Sequence, residues 1–499
     1  MLDTPYGPVG LLLLALALVV APAVRVPHVR EAAAQPPEAT HRLYLPRVLD
    51  AAGPPPVAST AARPLPTASP SPSEPPAATV SPSPAAPTAP PEPGAAREWP
   101  DTSDGIHVFN DQLPGLGNLS DAQIRFAATR YAGTQKMTRP DADRLRAINP
   151  GFLILHYRLG IGLGYRAADA ACEPSGGPLQ IVDGDRWVEE WPGEAVVRPS
   201  WFFRHAGQPR VFFCPFGWYL MDVADPGYRG WWLDEVVRQL EANDDDGLFA
   251  DSTSVPNYFG GDIWRPELPP IDPAFEAGWT RRLDDWLGAI KARLGSRYRL
   301  LPNVGSWITT RDATTYAAAD GVMIEGFASS SATQLLAPGD WVLQMDRVLG
   351  LTARGGIVIA QHYPDGNVRD RMFHVANYLL IKGAQSYLNM EAGFWPEWWP
   401  EYDIPIGRYA APPPPRVAEL FDPALGVYRR AYARGEVLVN PGPAPVEVAP
   451  ALRALRAIPE GGGLVPADGR APGSLRYEAL PSTFTLGAGE GAVLLYEAP

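Results

Sequence analysis

Two acidic residues each close a short apolar run. Asp251 ends Gly247-Leu248-Phe249-Ala250-Asp251, and Glu325 ends Gly321-Val322-Met323-Ile324-Glu325. Runs of this length and composition read as buried parallel strands, each delivering one carboxyl at its C-terminal end. Paired carboxyls are the equipment of glycoside hydrolysis: one protonates the leaving oxygen while the other attacks the sugar or activates water. Each has a blander reading on its own, with Asp251 capping the Ser252-Thr253 loop and Glu325 pairing with an arginine. Two carboxyls at equivalent strand ends weigh towards catalysis. Asp246, beside Asp244 and Asp245, reads as the polar start of its strand.

Other strand ends carry groups suited to sugar hydroxyls. His107, Asn110, Asp111, His156, Tyr157, Asn303, Gln361, His362, Asn389 and Glu391 are all expected to point to one face. From these, Asn110, Asp111, His156, Asn303, Gln361, His362, Asn389 and Glu391 are the expected substrate-binding residues, with Asn110, Asp111 and His156 foremost. Taken singly, each is more often a satisfied polar residue than a ligand. The aromatic stretch 394–403 adds Trp395 and Glu401, because flat sugar faces stack on indole rings. Trp187, Trp191, Trp201, Trp218 and Trp307 either extend such walls or pack the long loops. The histidines lack zinc-ligand spacing, and two cysteines cannot make a four-cysteine site. This chemistry calls for no metal and no organic cofactor.

The elements that must position these residues alternate. Strand-length apolar runs near residues 106–109, 131–133, 152–157, 248–250, 298–302, 321–325, 356–361 and 385–389 are interleaved with helical patterns at 120–130, 140–149, 231–241, 273–294, 339–349 and 368–381. Eight strands in this order predict an α/β fold, a (β/α)8 TIM barrel over residues 101–424 whose C-terminal face carries the chemistry. A doubly wound open sheet is the rival architecture, but no Gly-rich phosphate loop follows the first strand. A long insertion spans residues 158–228. After residue 425 the texture changes to short alternating strands at 436–440, 446–448, 483–486 and 492–496, predicting a C-terminal β-sandwich domain over 425–499.

Before residue 101 the sequence cannot build a core. Residues 24–100 are rich in Pro, Ala, Ser and Thr and read as a disordered linker, because so little apolar surface cannot offset the entropy of ordering. Ahead of it, the apolar run 10–20 and Ala21-Pro22-Ala23 resemble a signal peptide with a small-residue cleavage site, covering residues 1–23; a retained short anchor is the other reading. Both imply a secreted or cell-surface protein, with the linker as a tether. In that setting Cys172 and Cys214 are free to pair as a disulfide or to remain two buried thiols. Among 499 residues the net charge is −13 and the pI about 5.1, with no basic footprint for nucleic acid. The expected partner is a carbohydrate.

The chain resembles the hypothetical glycosyl hydrolase 15 family, a set of barrel glycosidases distinct from the glucoamylases. The resemblance rests on residues 125–136 (RFAATRYAGTQK), 246–251 (DGLFAD), 399–407 (WPEYDIPIG), 428–430 (YRR) and 435–441 (GEVLVNP). It implies a barrel fold and glycoside hydrolysis, not a particular sugar. More distantly the arrangement is similar to the α-galactosidase clan and the polygalactosaminidase group, where carboxyls after strands four and six act as nucleophile and acid. Carried over, this makes Asp251 the nucleophile and Glu325 the acid/base, although that clan usually has Asp at the position of Glu325. The alternative is a carbohydrate-binding surface protein without turnover on the same scaffold.

Overall fold

The computed structural model describes residues 96–164, 197–215, 217–331, 334–393, 395–450 and 452–496. The expected signal segment 1–23, most of the expected linker, and Cys172, Trp187 and Trp191 lie outside the described residues; Cys214 is disulfide-bonded. Among the described residues, no helix is long and apolar enough to cross a membrane.

Eight parallel strands form the central sheet: β1 (Val108–Gln112), β2 (Tyr131–Gln135), β3 (Leu153–Leu159), β4 (Gly247–Asp251), β5 (Arg299–Pro302), β6 (Gly321–Glu325), β7 (Ile357–His362) and β8 (Ser386–Met390). Neighbours in sequence pair from β1 to β5 and from β6 to β8, and β8 pairs with β1. An isolated parallel bridge between Asn303 and Met323, with Val304 N–H donating to Met323 O at 3.1 Å, joins β5 to β6 and closes the barrel. The TIM-barrel expectation holds. Six α-helices among the described residues surround the sheet: α1 (Asp121–Arg130), α2 (Arg139–Ile148), α3 (Pro226–Asn243), α4 (Pro273–Leu294), α5 (Pro338–Thr352) and α6 (Val368–Ile381). The 303–320 crossover from β5 to β6 carries none.

Local chemistry starts the helices where they are needed. Ser120 and Gln123 form a reciprocal capping box at α1, and Asp225 and Asp272 each accept two backbone N–H bonds ahead of a proline at the first position of α3 and α4. Strands Gly162–Leu163, Phe212–Phe213 and Trp218–Leu220 of the insertion after β3 join Trp264–Arg265, from the segment after β4, in a small four-stranded antiparallel sheet. Aromatic rings pack in and beside it: Trp218 stacks on Phe213 at 4.6 Å, and Trp201 on Trp231 of the helix Pro226–Asn243 at 5.2 Å. Trp201 and Trp218 are thus buried packing residues and form no open wall.

Strand pleating divides the barrel interior into two layers. Phe109, Leu153, Leu155, Phe249, Leu301, Met323, Ile357, Ile359 and Tyr387 fill the lower interior as a separate apolar cluster. Gly133 lets β2 enter this layer, since a Cβ there would sit 2.5 Å from Leu153 O and 2.7 Å from the Phe109 ring. Trp99 plugs the floor, parallel to Phe109 at 5.8 Å and edge-on to Tyr387 at 5.7 Å. Arg97 pairs with Asp244 at 2.6 Å and Asp246 at 2.9 Å. The folded part therefore begins before the expected boundary at residue 101.

The C-terminal region folds as a six-stranded antiparallel sheet with a separate two-stranded ribbon, Val446–Val448 against Phe484–Leu486. One side of the large sheet buries Leu438, Ala492 and Leu494 against the ribbon. The other side buries Val437, Val439 and Val493 in the main core with α6.

Trp99→Ala should lower the unfolding free energy by about 3 kcal/mol, the usual cost of deleting a buried indole. Urea unfolding followed by circular dichroism checks it. A loss below about 0.5 kcal/mol would show that the floor does not need the plug.

Candidate active site

The same pleat sends the next inward residue of each strand into a polar upper layer. Asp251 follows Phe249, Asn303 follows Leu301, Glu325 follows Met323, Gln361 follows Ile359, and Asn389 and Glu391 follow Tyr387. On the opposite arc, Asp111 follows Phe109 and Tyr157 follows Leu155.

Asn303 stands between the two expected catalytic carboxyls. Its Nδ2 donates to Asp251 Oδ1 and to Glu325 Oε2, each at 2.9 Å. The two oxygens bound to that one nitrogen can therefore be no more than twice 2.9 Å apart. Asp251 also accepts the Tyr157 hydroxyl at 2.9 Å and the Ser252 N–H at 2.8 Å. Ser252 holds a left-handed backbone (φ 55°), uncommon outside glycine, and this turn folds its amide back onto the carboxylate. The capping reading of Asp251 is thus correct for Ser252, but Thr253 Oγ1 donates to Ala250 O instead.

Glu325 accepts the Tyr363 hydroxyl at 2.8 Å, and its partners are neutral donors, not an arginine. Burial, and then the negative charge of Asp251, push its carboxyl above the usual range; the bonds from Asn303 and Tyr363 oppose this without cancelling it. Both residues are half-buried.

Across the mouth, Asp111 accepts Gln135 Nε2 and Lys136 Nζ, the latter at 3.0 Å. Lys136 has φ 58° and lies 5.2 Å from the centre of the Tyr157 ring. Burial disfavours its charge, but Asp111 and Asp251 outweigh this and hold it above its ordinary value. Asn389 Nδ2 donates to Gln361 Oε1 at 2.9 Å and Glu391 Oε2 at 3.1 Å. Burial, then the nearby Asp111, push Glu391 well above the carboxylate range. Trp395, in the loop after β8, is 40 % exposed.

Several expected residues are elsewhere, most because of strand parity. Asn110 faces out and accepts Thr134 Oγ1 at 3.1 Å. His156 faces the α3 layer, between Asp245 Oδ2 at 3.2 Å and Gln239 Oε1 at 2.9 Å. His362 also faces out, onto α6, with Nε2 2.8 Å from Asp370 Oδ2. His107 precedes β1, which begins two residues later than expected, and lies by Asp104. Glu401 is fully buried and pairs with Arg371 at 2.7 Å. Asn110, His156, His362 and Glu401 are therefore not at the mouth, whereas Gln135, Lys136, Tyr157 and Tyr363 are.

Residues 146–436 match the family described as hypothetical glycosyl hydrolase family 15. The chain belongs to that family. This hypothetical glycosyl hydrolase is similar in fold to the glycoside hydrolase domain of PelA from Pseudomonas aeruginosa, at 15% identity over 58% of this chain and 97% of that one, TM-score 0.37. It is also similar to an α-amylase from Malbranchea cinnamomea (10% identity, 78% and 96% covered, TM-score 0.38) and to the maltogenic α-amylase AmyB from Thermotoga neapolitana (10%, 79% and 99%, TM-score 0.35). No curated protein matches the chain.

The raised Glu325 carboxyl of this family member has a consequence for stability. Above the ordinary carboxyl range, the folded protein keeps a proton that the unfolded chain has released, so wild-type stability falls as pH rises through the window up to the raised value. Glu325→Gln does not titrate there, so its stability relative to wild type should increase from about pH 4 to about pH 8. Urea unfolding at both pH values tests this; a constant difference would remove the strain from Glu325.

Proposed function

We propose that the protein is an exported retaining glycosidase that cleaves O-glycosidic bonds of a polysaccharide or exopolymer. Glu325 protonates the leaving oxygen while Asp251 attacks the anomeric carbon, forming a glycosyl-enzyme; Glu325, now a base, then draws a proton from the water that releases the sugar. The sharing of Asn303 Nδ2 between the two carboxyls carries this reading. An amide nitrogen directs its hydrogens about 120° apart, so acceptors bound at hydrogen-bond length lie about 5 Å from one another. That is the separation of double displacement; single displacement leaves about 6.5 Å or more for a water.

The remaining upper-layer residues suit sugar recognition. Asp111, Gln361, Asn389 and Glu391 offer donors and acceptors to ring hydroxyls, and the exposed Trp395 offers a stacking face. The apolar run 10–20 and the Pro-rich segment behind it support export and tethering to the cell surface.

Asp251→Asn should abolish hydrolysis of a responsive glycan found by array screening, with unfolding free energy within about 1 kcal/mol of wild type. Proton NMR of the first product should show the substrate's anomeric configuration. An inverted anomer would exclude double displacement. Glycan binding by the wild type without new reducing ends would instead identify a carbohydrate-binding surface protein.

A further inference from the structure

A chain of polar side chains runs behind the mouth and returns to Glu325. His362, the last residue of β7, sets Nε2 2.8 Å from Asp370 Oδ2 on α6. One turn along that helix, His374 stacks on the His362 ring, with centroids 3.2 Å apart and planes at 10°. His374 Nδ1 lies 2.7 Å from Asp370 O, and its Nε2 lies 2.9 Å from Ser329 Oγ. Donation from Nδ1–H to that carbonyl leaves Nε2 as the acceptor of the Ser329 hydroxyl. Ser329 is four residues beyond Glu325, and Tyr363, which donates to Glu325 Oε1, directly follows His362. Both ends of the chain therefore rest on segments that place the acid.

The position of this chain matters because the β6–β7 ladder stops at the Glu325–Gln361 pair. Past it, the Phe327 N–H to Gln361 O bond at 3.1 Å and the Ser329–His374–Asp370–His362 contacts join the two segments. The loop they restrain is strained: Gly326 and Ala328 both hold left-handed backbones, φ 76° and 61°, the second costly for a residue with a Cβ. Burial drives both imidazoles down to about 3 and lifts Asp370 to about 7, so the stacked rings are neutral.

His362, Asp370 and His374 also bring ligand-type atoms within 4.8 Å of one another. A metal bound by an imidazole nitrogen lies in that ring's plane, however, and two nearly parallel rings at 3.2 Å have no common in-plane point between them. The arrangement is that of a hydrogen-bonded network.

We propose that Ser329, His374, Asp370 and His362 are positioning residues that hold the ends of β6 and β7 together and so keep the Tyr363 hydroxyl on Glu325. The inference rests on the reading of Glu325 as the acid/base, but it is testable without substrate. Carboxyl-¹³C-glutamate protein, with Glu325→Gln identifying the resonance, reports the Glu325 titration in wild type, Ser329→Ala, Tyr363→Phe and the double variant. Tyr363→Phe removes a donor that favours the carboxylate, so the titration moves upward. Ser329→Ala should produce part of the same upward shift, and the double variant no more than Tyr363→Phe alone, because both act through one contact. The basic limb of kcat/KM against pH should follow. A Ser329→Ala protein that melts earlier but titrates Glu325 as wild type does would make the network merely structural and overturn the proposal. Additive shifts, or one equivalent of zinc copurifying with the protein, would overturn it too. If Glu325→Gln hydrolyses glycan as well as wild type, the acid/base reading of Glu325 fails, and the titrations still decide the positioning role.

Discussion

In a closed parallel barrel, the pleat gives every strand residue one of two environments, the common interior or the ring of helices, and the site depends on that constraint. Phe249, Leu301, Met323, Ile359 and Tyr387 point inward and hold the lower layer closed. Two residues later, each of these strands presents a polar group in the same direction, 3.2–3.4 Å of rise per residue carrying it up to the mouth. Asp251 and Glu325 lie on strands separated by β5, whose own next inward position is Asn303. One side chain can therefore bridge both carboxyls, and the backbone of that same Asn303 supplies the bridge that closes the barrel. Shape and chemistry are fixed at one residue.

The neutral partners around these carboxyls suit the roles proposed for them. An arginine or lysine paired with Glu325 would favour the carboxylate and work against the proposed acid role. Asn303 and Tyr363 instead aim the group while leaving its carboxyl raised by burial and by Asp251. Lys136, the cation of the upper layer, is engaged by Asp111 on the opposite arc. Asp251, by contrast, is gripped by three donors, an orientation that suits the attack proposed for it.

Much of this is legible from residue pattern, and most of the errors share a cause. Apolar runs and their order specify eight strands, and a carboxyl at the end of the fourth and the sixth is visible without coordinates. Placing every polar residue near a strand end at the mouth ignores the pleat. Asn110, His156 and His362 each differ by one position from an inward neighbour, which turns the side chain through the sheet. Extending the inward series one step past the strand instead reaches Tyr363 after Gln361, a residue the residue types alone do not suggest. Glu401 failed differently: its partner Arg371 is thirty residues away on α6, and only tertiary packing brings the two together.

That pairing shows how the companion sheet bears on the barrel. Every residue of α6 from Arg371 through Ile381 is buried, so this helix is covered on both sides, by the barrel and by the C-terminal strands. The strand Glu490–Tyr496 approaches so closely that a Cβ on Gly491 would lie 2.5 Å from Ala376 Cβ. Arg371 clamps the join, bonding Glu401 Oε1 at 2.7 Å and Gly461 O at 3.0 Å. Covering α6 in this way keeps water from His374, and a dry environment is what holds the two imidazoles neutral and able to stack. The sheet contributes no group to the mouth in this chain of contacts, yet it sets the surroundings of the network that borders Glu325.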